Sequence, residues 1–306
     1  MSVERSPRLP AVRVLAGEAS REQLYLHAAQ RAADVLVREY STSFRIATAL
    51  LPRRLRGHIR NIYALVRVAD EIVDGAVEST EQARVALDNL EQDTYQAMVD
   101  GFSANVVVHA FATTARRSGI DAELVAPFFA SMRSDLTEHG HDAASLATYL
   151  YGSAEVVGLM CLRVFLLDEP PADRDRRYRA LAPGAKALGS AFQLVNFLRD
   201  IGDDAEQLGR RYLPWQGDGP LTERAKDRAV AEVRRSLATA RVAIAELPPG
   251  SRPAVAVAYA LFAELTTRVD RTPAAALALT RVRVPEATKA ALSAVTVVRV
   301  RLTGRP

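Results

Sequence analysis

The chain has 306 residues, 49% of them hydrophobic and 25% charged, with a mean hydropathy of −0.03. This composition supplies apolar material for one large core and excludes a low-complexity or disordered chain. Net charge is +4 and pI near 9.4, and every basic residue except Lys186, Lys226 and Lys289 is arginine. Arginine suits bidentate recognition of phosphate, but no aromatic-interleaved basic stripe accompanies it, so nucleic acid is not an expected partner.

In chain order, residues 1–24 read as a flexible N-terminal segment without the apolar core of a secretory signal. Residues 25–306 read as a single all-α domain. YSTSFRIATALLP (40–52) gathers hydroxyls where a helix cap would also place them. Over 53–74, Leu55, Ile59, Ile62, Leu65, Val66, Ala69 and Val73 recur at three- and four-residue steps, predicting a helix between Pro52 and Gly75. Further helices are predicted over 81–100 and 122–138, and NVVVHAF (105–111) is the one stretch with strand character. A long apolar helix is expected over 146–167, closed by DEPP, then helices over 184–206, 221–246, 252–269 and 286–300.

The lone cysteine, Cys161, lies in VVGLMCLRVFLL and reads as a buried small hydrophobe. Arg163 and Asp168 interrupt the most apolar run before it reaches the roughly 18 residues of a membrane span, so the expected location is cytoplasmic. His139 and His141 in EHGHD read as an exposed loop rather than a metal pair.

Two segments carry chemistry. RVADEIVDG (67–75) gathers Arg67, Asp70, Glu71 and Asp74, and QLVNFLRDIGDD (193–204) gathers Asn196, Arg199, Asp200 and Asp204. Asn196, Asp200 and Asp204 climb one face of a helix at four-residue steps, with Gln193 on the same side. One such ladder alone is usually a solvated, ion-paired face. Two ladders on separate apolar helices are costly to desolvate without partners. If they face each other, their carboxylates cannot all stay ionised without compensation. Mg²⁺ supplies it, held by carboxylates together with substrate phosphates.

The sequence resembles the squalene/phytoene synthase family in YSTSFRIATALLP, IYALVRVADEIVDG (62–75), YLYGSAEVVGLM (149–160) and QLVNFLRDIGDDAEQLGRRYLP (193–214). The resemblance implies an isoprenoid-synthase-type helical bundle with a central cavity, two prenyl diphosphate substrates and Mg²⁺, with Mn²⁺ as an alternative. By the resemblance, Asp70, Asp74, Asn196, Asp200 and Asp204 bind metal, with Gln193 nearby. Arg67, Arg199 and Tyr63 contact diphosphate. Tyr40, Ser41, Thr42 and Ser43 match the family's N-terminal diphosphate-binding stretch, and Tyr259 and Arg281 are further diphosphate or gating contacts. One departure is Glu155, which stands where a small residue is usual.

The expected activity is head-to-head condensation of two geranylgeranyl diphosphates to phytoene, without NADPH. The rivals are a C30 synthase using farnesyl diphosphate and a non-catalytic assembly-type relative; the motifs of a terpene cyclase are missing. Greasy substrates and products imply transient contact with a membrane surface.

Overall fold

The computed structural model describes residues 20–306 except 76, 78, 139, 208–209 and 217–218; the side chains of 203–207 also lie outside the description. Of the expected flexible segment 1–24, residues 1–19 lie outside the described residues, as do His139 and the carboxylate of Asp204, while 21–24 are helical.

Local signals set the helix starts. Ser20 opens α1 (Arg21–Tyr40) with a capping box, its hydroxyl accepting from the Gln23 N–H while the Gln23 side chain accepts from the Ser20 N–H. Ser41 follows α1 and caps α2 (Thr42–Ala49), its Oγ accepting from Phe44 N–H at 3.2 Å. Pro52 precedes α3 (Arg53–Val73), where Leu55, Ile59, Ile62, Leu65, Ala69 and Val73 form the buried stripe that their spacing requires. Ser79 caps α4 (Thr80–Asp100), which stops at Gly101 with φ +83°.

The apparent strand 105–111 is helical. Asn105 Oδ1 accepts from the Val107 and Val108 N–H groups and starts α5 (Val106–Ser118). Among the described residues the valine run has no neighbouring strand to pair with. Instead Val107, Val108, Ala110, Phe111 and Ala112 are buried against other helices, so packing overrides local β propensity. Asn61 donates to Ala110 O and Thr114 Oγ1, each at 3.0 Å, which fixes α3 on α5. α6 (Ala122–Ser134) ends four residues before the expected point, at Asp135.

The apolar helix expected over 146–167 is α7 (Ala143–Leu150), a π turn (Tyr151–Glu155), α8 (Val156–Phe165) and a short 3₁₀ turn (Leu166–Asp168). The expectation that no run is long enough to span a membrane is corrected here. Ala143–Asp168 is one helical stretch that is long and apolar enough by length and composition. Its apolarity is that of a core element: Val156, Leu159, Met160, Leu162 and Val164 are buried, and α8 packs on α3, α6 and α9.

α9 (Pro171–Gln207) begins thirteen residues before the expected 184. Ala182-Pro183-Gly184 reads as a break, yet the helix continues through it. Gly184 is there for close approach: a Cβ would lie 2.1 Å from the Cβ of Ala243 on α10 (Glu223–Ala245). α11 (Arg252–Arg271), α12 (Ala274–Leu277) and α13 (Glu286–Thr303) follow, with α10 and α13 both packed on α11. Among the described residues the only β-type pairing is an isolated parallel bridge between Gly140 and Arg211. One apolar cluster joins α3 to α6 and α8; a second joins α9, α10 and the Tyr212–Leu213 segment. The acidic ends of α3 and α9 belong to these two different clusters.

Candidate active site

The C-terminal turns of α3 carry the first acidic segment. Asp70 is half-buried and Asp74 caps the helix, its N–H donating to Asp70 O at 2.8 Å. Burial, the neighbouring Asp74 and the nearby Asp135 push the Asp70 carboxyl up to about 8 against the pull of Arg67. A carboxyl this far displaced is stable only when protonated or when a cation joins it.

Arg67, one turn earlier, pairs with Glu71 and lays its guanidinium 4.3 Å above the Tyr40 ring. Its Nε is buried without a partner. Tyr63 stacks on Phe44 at 4.5 Å and hydrogen-bonds with Ser41; burial, with Asp70, raises its hydroxyl against the pull of Arg67. The fold thus brings Tyr40 at the end of α1, Ser41 at the α1–α2 junction, and Tyr63 and Arg67 of α3 together. Thr42 and Ser43 are half-buried in the first turn of α2. The alternative reading of YSTSF as a cap is also realised, since Ser41 caps α2 while it faces Tyr63.

On α9, Asp200 is gripped from two sides. Arg199 Nε donates to it at 2.8 Å with a second contact from Nη2, and Arg281 Nε lies 2.8 Å from Oδ1. Arg281 reaches this point because Gly202 lets the chain after α12 come close; a Cβ there would lie 2.3 Å from Ala278 O. Asn196, one turn before Asp200, has a buried Oδ1 with no hydrogen-bond partner, and Gln193 is half-buried one turn earlier.

Among the described residues the link between the two segments is a cation rather than a direct contact between the ladders. Arg210, three residues past the end of α9 and 6% exposed, donates to Asp74 Oδ1 at 2.8 Å and to Val73 O at 2.7 Å. It also donates to the Tyr212 hydroxyl at 3.3 Å. The Tyr212 hydroxyl in turn donates to Asp135 Oδ1 at 3.2 Å, and the Tyr149 hydroxyl to Oδ2 at 2.8 Å. Burial raises Asp135 to about 6, opposed by Arg210 and by these two hydroxyls. Burial and Asp135 push the Tyr149 hydroxyl well up. Arg210 is held cationic, its burial outweighed by Tyr212, Asp135 and Asp74.

Aromatic rings enclose this polar chain. Phe197 stacks on Tyr212 at 4.0 Å, and His141 lies 4.9 Å from Tyr149 and 5.9 Å from Tyr212. His141 is therefore not in an exposed loop: its side chain is 3% exposed, and burial lowers its pKa. The ring's apolar faces are better covered by two tyrosines than by water.

A family model described as squalene/phytoene synthase matches residues 37–218. This span contains both acidic segments and the Arg210–Tyr212 link. The chain belongs to the squalene/phytoene synthase family. It is a prenyl transferase of that family. It is 30% identical over 253 residues to a phytoene synthase of Arthrospira platensis, covering 76% of this chain and 81% of the relative. It is 28% identical over 250 residues to a 15-cis-phytoene synthase of Paracoccus sp., covering 76% and 79%. Among solved structures, a dehydrosqualene synthase in complex with ligand superposes with a TM-score of 0.77 at 21% identity, covering 92% of this chain and 99% of that one. A squalene synthase of Alicyclobacillus acidocaldarius superposes with a TM-score of 0.68 at 20% identity, covering 81% and 95%. The helical fold expected from the resemblance is the one found.

Within this squalene/phytoene synthase fold, Tyr259 stands apart from the acidic segments. It lies on α11 and lines a groove of about 730 Å³ beside α10, with Leu237, Arg241 and Thr266. Glu155, the departure from the family pattern, has found a hydroxyl: Ser190 Oγ donates to its Oε1 at 2.6 Å. Cys161 is half-buried against the core, and burial raises its thiol to about 12.

Four participants escaped the sequence reading. Tyr149, Arg210 and Tyr212 lie within stretches that carry the family resemblance but received no role. Asp135 sits between α6 and α7 with no periodic partner, and only tertiary packing brings it to the Asp74–Arg210 pair. Its one available signal was a lone acid beside the apolar end of α6.

Proposed function

We propose that this prenyl transferase joins two geranylgeranyl diphosphates head to head into phytoene, through a cyclopropyl diphosphate and with Mg²⁺ or Mn²⁺ as cofactor. The observations that carry this reading are the likeness to phytoene synthases and the placement of Asp70 and Asp74 one turn apart at the end of α3, where burial and the neighbouring carboxylate push the Asp70 carboxyl up. Such a pair is expensive by itself and favourable around a divalent cation. Asn196 Oδ1, buried and without a partner, supplies the matching oxygen on α9.

All the candidate donors are oxygens: Asp70, Asp74, Asn196, Asp200 and Asp204. That set suits a hard cation and no soft one. Among the described residues, no three His, Cys, Asp or Glu side chains are gathered as a metal group, and Asp204 lies outside them. Asp70 and Asp74 form one candidate half-site on α3, and Asn196 and Asp200 another on α9. When bound, the cation would neutralise charge on the departing diphosphate.

The chain's own residues account for the rest. Arg67, with its unpartnered Nε, and Arg199 and Arg281 around Asp200 are guanidiniums in reach of the two half-sites, suited to bidentate grip of diphosphate oxygens. Tyr63 and Ser41 add hydroxyl donors beside Arg67. In the reaction, the C1–O bond of one substrate breaks and its electron pair leaves on diphosphate. The C2–C3 double bond of the second substrate attacks the allylic cation, and loss of a proton closes the cyclopropane. Breaking the second C–O bond, rearranging and losing one more proton gives the C40 product. No hydride is consumed, so NADPH is not required.

The test is direct. Purified protein is incubated with Mg²⁺ and with C15 or C20 diphosphate, with and without NADPH, and the lipid product is identified by mass spectrometry. A C40 hydrocarbon formed without NADPH is the expected result. A C30 hydrocarbon with no C40 product overturns the assigned chain length, and no product under any of these conditions overturns the activity.

A further inference from the structure

The C-terminal helix α13 exposes an apolar stripe that the catalytic reading does not use. Its inner side is set against α11 through buried Thr296 and Val300. On the outer side Ala291, Val295, Val298 and Leu302 are exposed, at successive spacings of four, three and four residues. That spacing draws one straight line along a helix of 3.6 residues per turn. Val295 is 64% exposed, Val298 56% and Leu302 81%. With Ala294 and Arg299 they line a shallow groove of about 500 Å³. A contiguous exposed apolar surface of this kind marks a docking face.

The charges around the stripe select its partner. Arg299 and Arg301 lie on either side of the line, and Arg305 follows just after the helix ends at Gly304, φ +68°. Among the described residues none of these three guanidiniums has an ion-pair partner. The only acid on α13 is Glu286 in its first turn, paired with Lys289. Arg305 also lines the groove beside α10, where Arg241 and the 72% exposed Val242 continue the same combination of cation and apolar side chain. A second copy of this chain, docked through the same face, would set arginines against arginines, with Glu246, among Arg234, Arg241 and Arg305 beside α10, the one acid lining either groove. An anionic bilayer satisfies both features, taking valine and leucine into the acyl boundary and arginine at the headgroups.

We propose that the outer face of α13, formed by Val295, Val298 and Leu302 between Arg299 and Arg301, docks this protein on anionic phospholipid membrane. The surface stands on the α13 residues alone and holds whichever prenyl chain length the enzyme uses.

Flotation of the full chain with two kinds of vesicle tests it, one of phosphatidylcholine alone and one with 30 mol% phosphatidylglycerol. The wild type should float with the anionic vesicles, with several-fold less bound to the neutral ones or in 0.5 M NaCl. Val298→Asp with Leu302→Asp should lower the bound fraction at least tenfold, with circular dichroism and turnover of detergent-dispersed substrate unchanged. Arg299→Ser with Arg301→Ser keeps the stripe and should remove the preference for anionic over neutral vesicles. Equal flotation of wild type and the aspartate variant overturns the proposal. So does a dimer in sedimentation velocity that the aspartate variant converts to monomer without loss of vesicle binding. If the aspartate variant misfolds, the serine variant decides: an unchanged anionic preference overturns the proposal.

Discussion

Arg210 crosses 136 positions of sequence to hold Asp74 at 2.8 Å, and with the same guanidinium it binds Val73 O. This cation closes the end of α3 against the segment that follows α9. Asp74 is 39% exposed and Arg210 only 6%, so the two partners are not equivalent. Replacing Arg210 by Met leaves Asp135 buried without its largest opposing charge. Because Asp74 keeps access to water, the expected loss is about 2–3 kcal/mol, below the full value for a wholly buried pair. Urea unfolding at pH 7 measures it, and an unchanged midpoint would show that the pair carries no stability.

Asp70 gives a pH dependence with a definite sign. Its folded pKa, about 8, stands above the unfolded value of 3.8. The folded state therefore binds more protons between those values, and this group's contribution to stability falls as pH rises from about 4 to 8. Asp70→Asn removes that slope. In EDTA at pH 9 the variant should melt a few degrees above wild type, with the gap closing toward pH 4. Turnover should be lost in the same variant. Parallel melting curves across pH for the two proteins would contradict the assignment.

Asp135 receives the hydroxyls of Tyr149 and Tyr212 on its two oxygens. Tyr149→Phe and Tyr212→Phe should each cost about 1–3 kcal/mol, the range for a buried hydrogen bond to a charged group. Each also leaves Asp135 less supported, so its pKa should climb above the present value of about 6. The two losses share one acceptor and should not add. A double-mutant cycle is expected to give a coupling above about 0.5 kcal/mol, and strict additivity would separate the two tyrosines.

Two glycines should respond to alanine in opposite directions. A Cβ on Gly152, in the π turn, would sit 2.2 Å from Pro127 O and 2.1 Å from Ser131 Oγ. Backbone cannot retreat that far, so Gly152→Ala should destabilise by about 2 kcal/mol or more. On Gly57, inside α3, a Cβ meets nothing nearer than Gln30 at 3.7 Å. Gly57→Ala should stabilise by about 0.5–1 kcal/mol through helix propensity. Thermal melts of the two variants in one buffer test both signs together.

Sequence periodicity located α3, α4, α10 and α11 because each buries one stripe and ends at proline, glycine or a capping side chain. It failed where packing surrounds an element. The valines of α5 are buried on several sides, so their run carries no helical period and imitates a strand. Pro183 and Gly184 imitate a break because the reason for the glycine is Ala243 on another helix. At the site, Asp70, Asp74, Asn196 and Asp200 were legible from four-residue spacing within apolar helices. Asp135 and Arg210 were not, since their partners lie 77 and 136 residues away. A charge whose partner is that distant in sequence leaves no local pattern.

The π turn at Tyr151–Glu155 sets a fixed count on the chain. The wider turn holds one residue more than an α turn, so Tyr149 before it aims at Asp135 while Val156, Leu159 and Met160 after it face the core. Deleting one residue between 151 and 155 would close the wide turn to an α turn and keep α8 near its present facing. Deleting one from the α turns on either side would instead rotate α8 by about 100° relative to α7. Either the tyrosine or the core contacts would then be lost. The flanking α turns are thus closed to single-residue deletion while the π turn can absorb one, and none of the candidate metal or diphosphate residues lies within it.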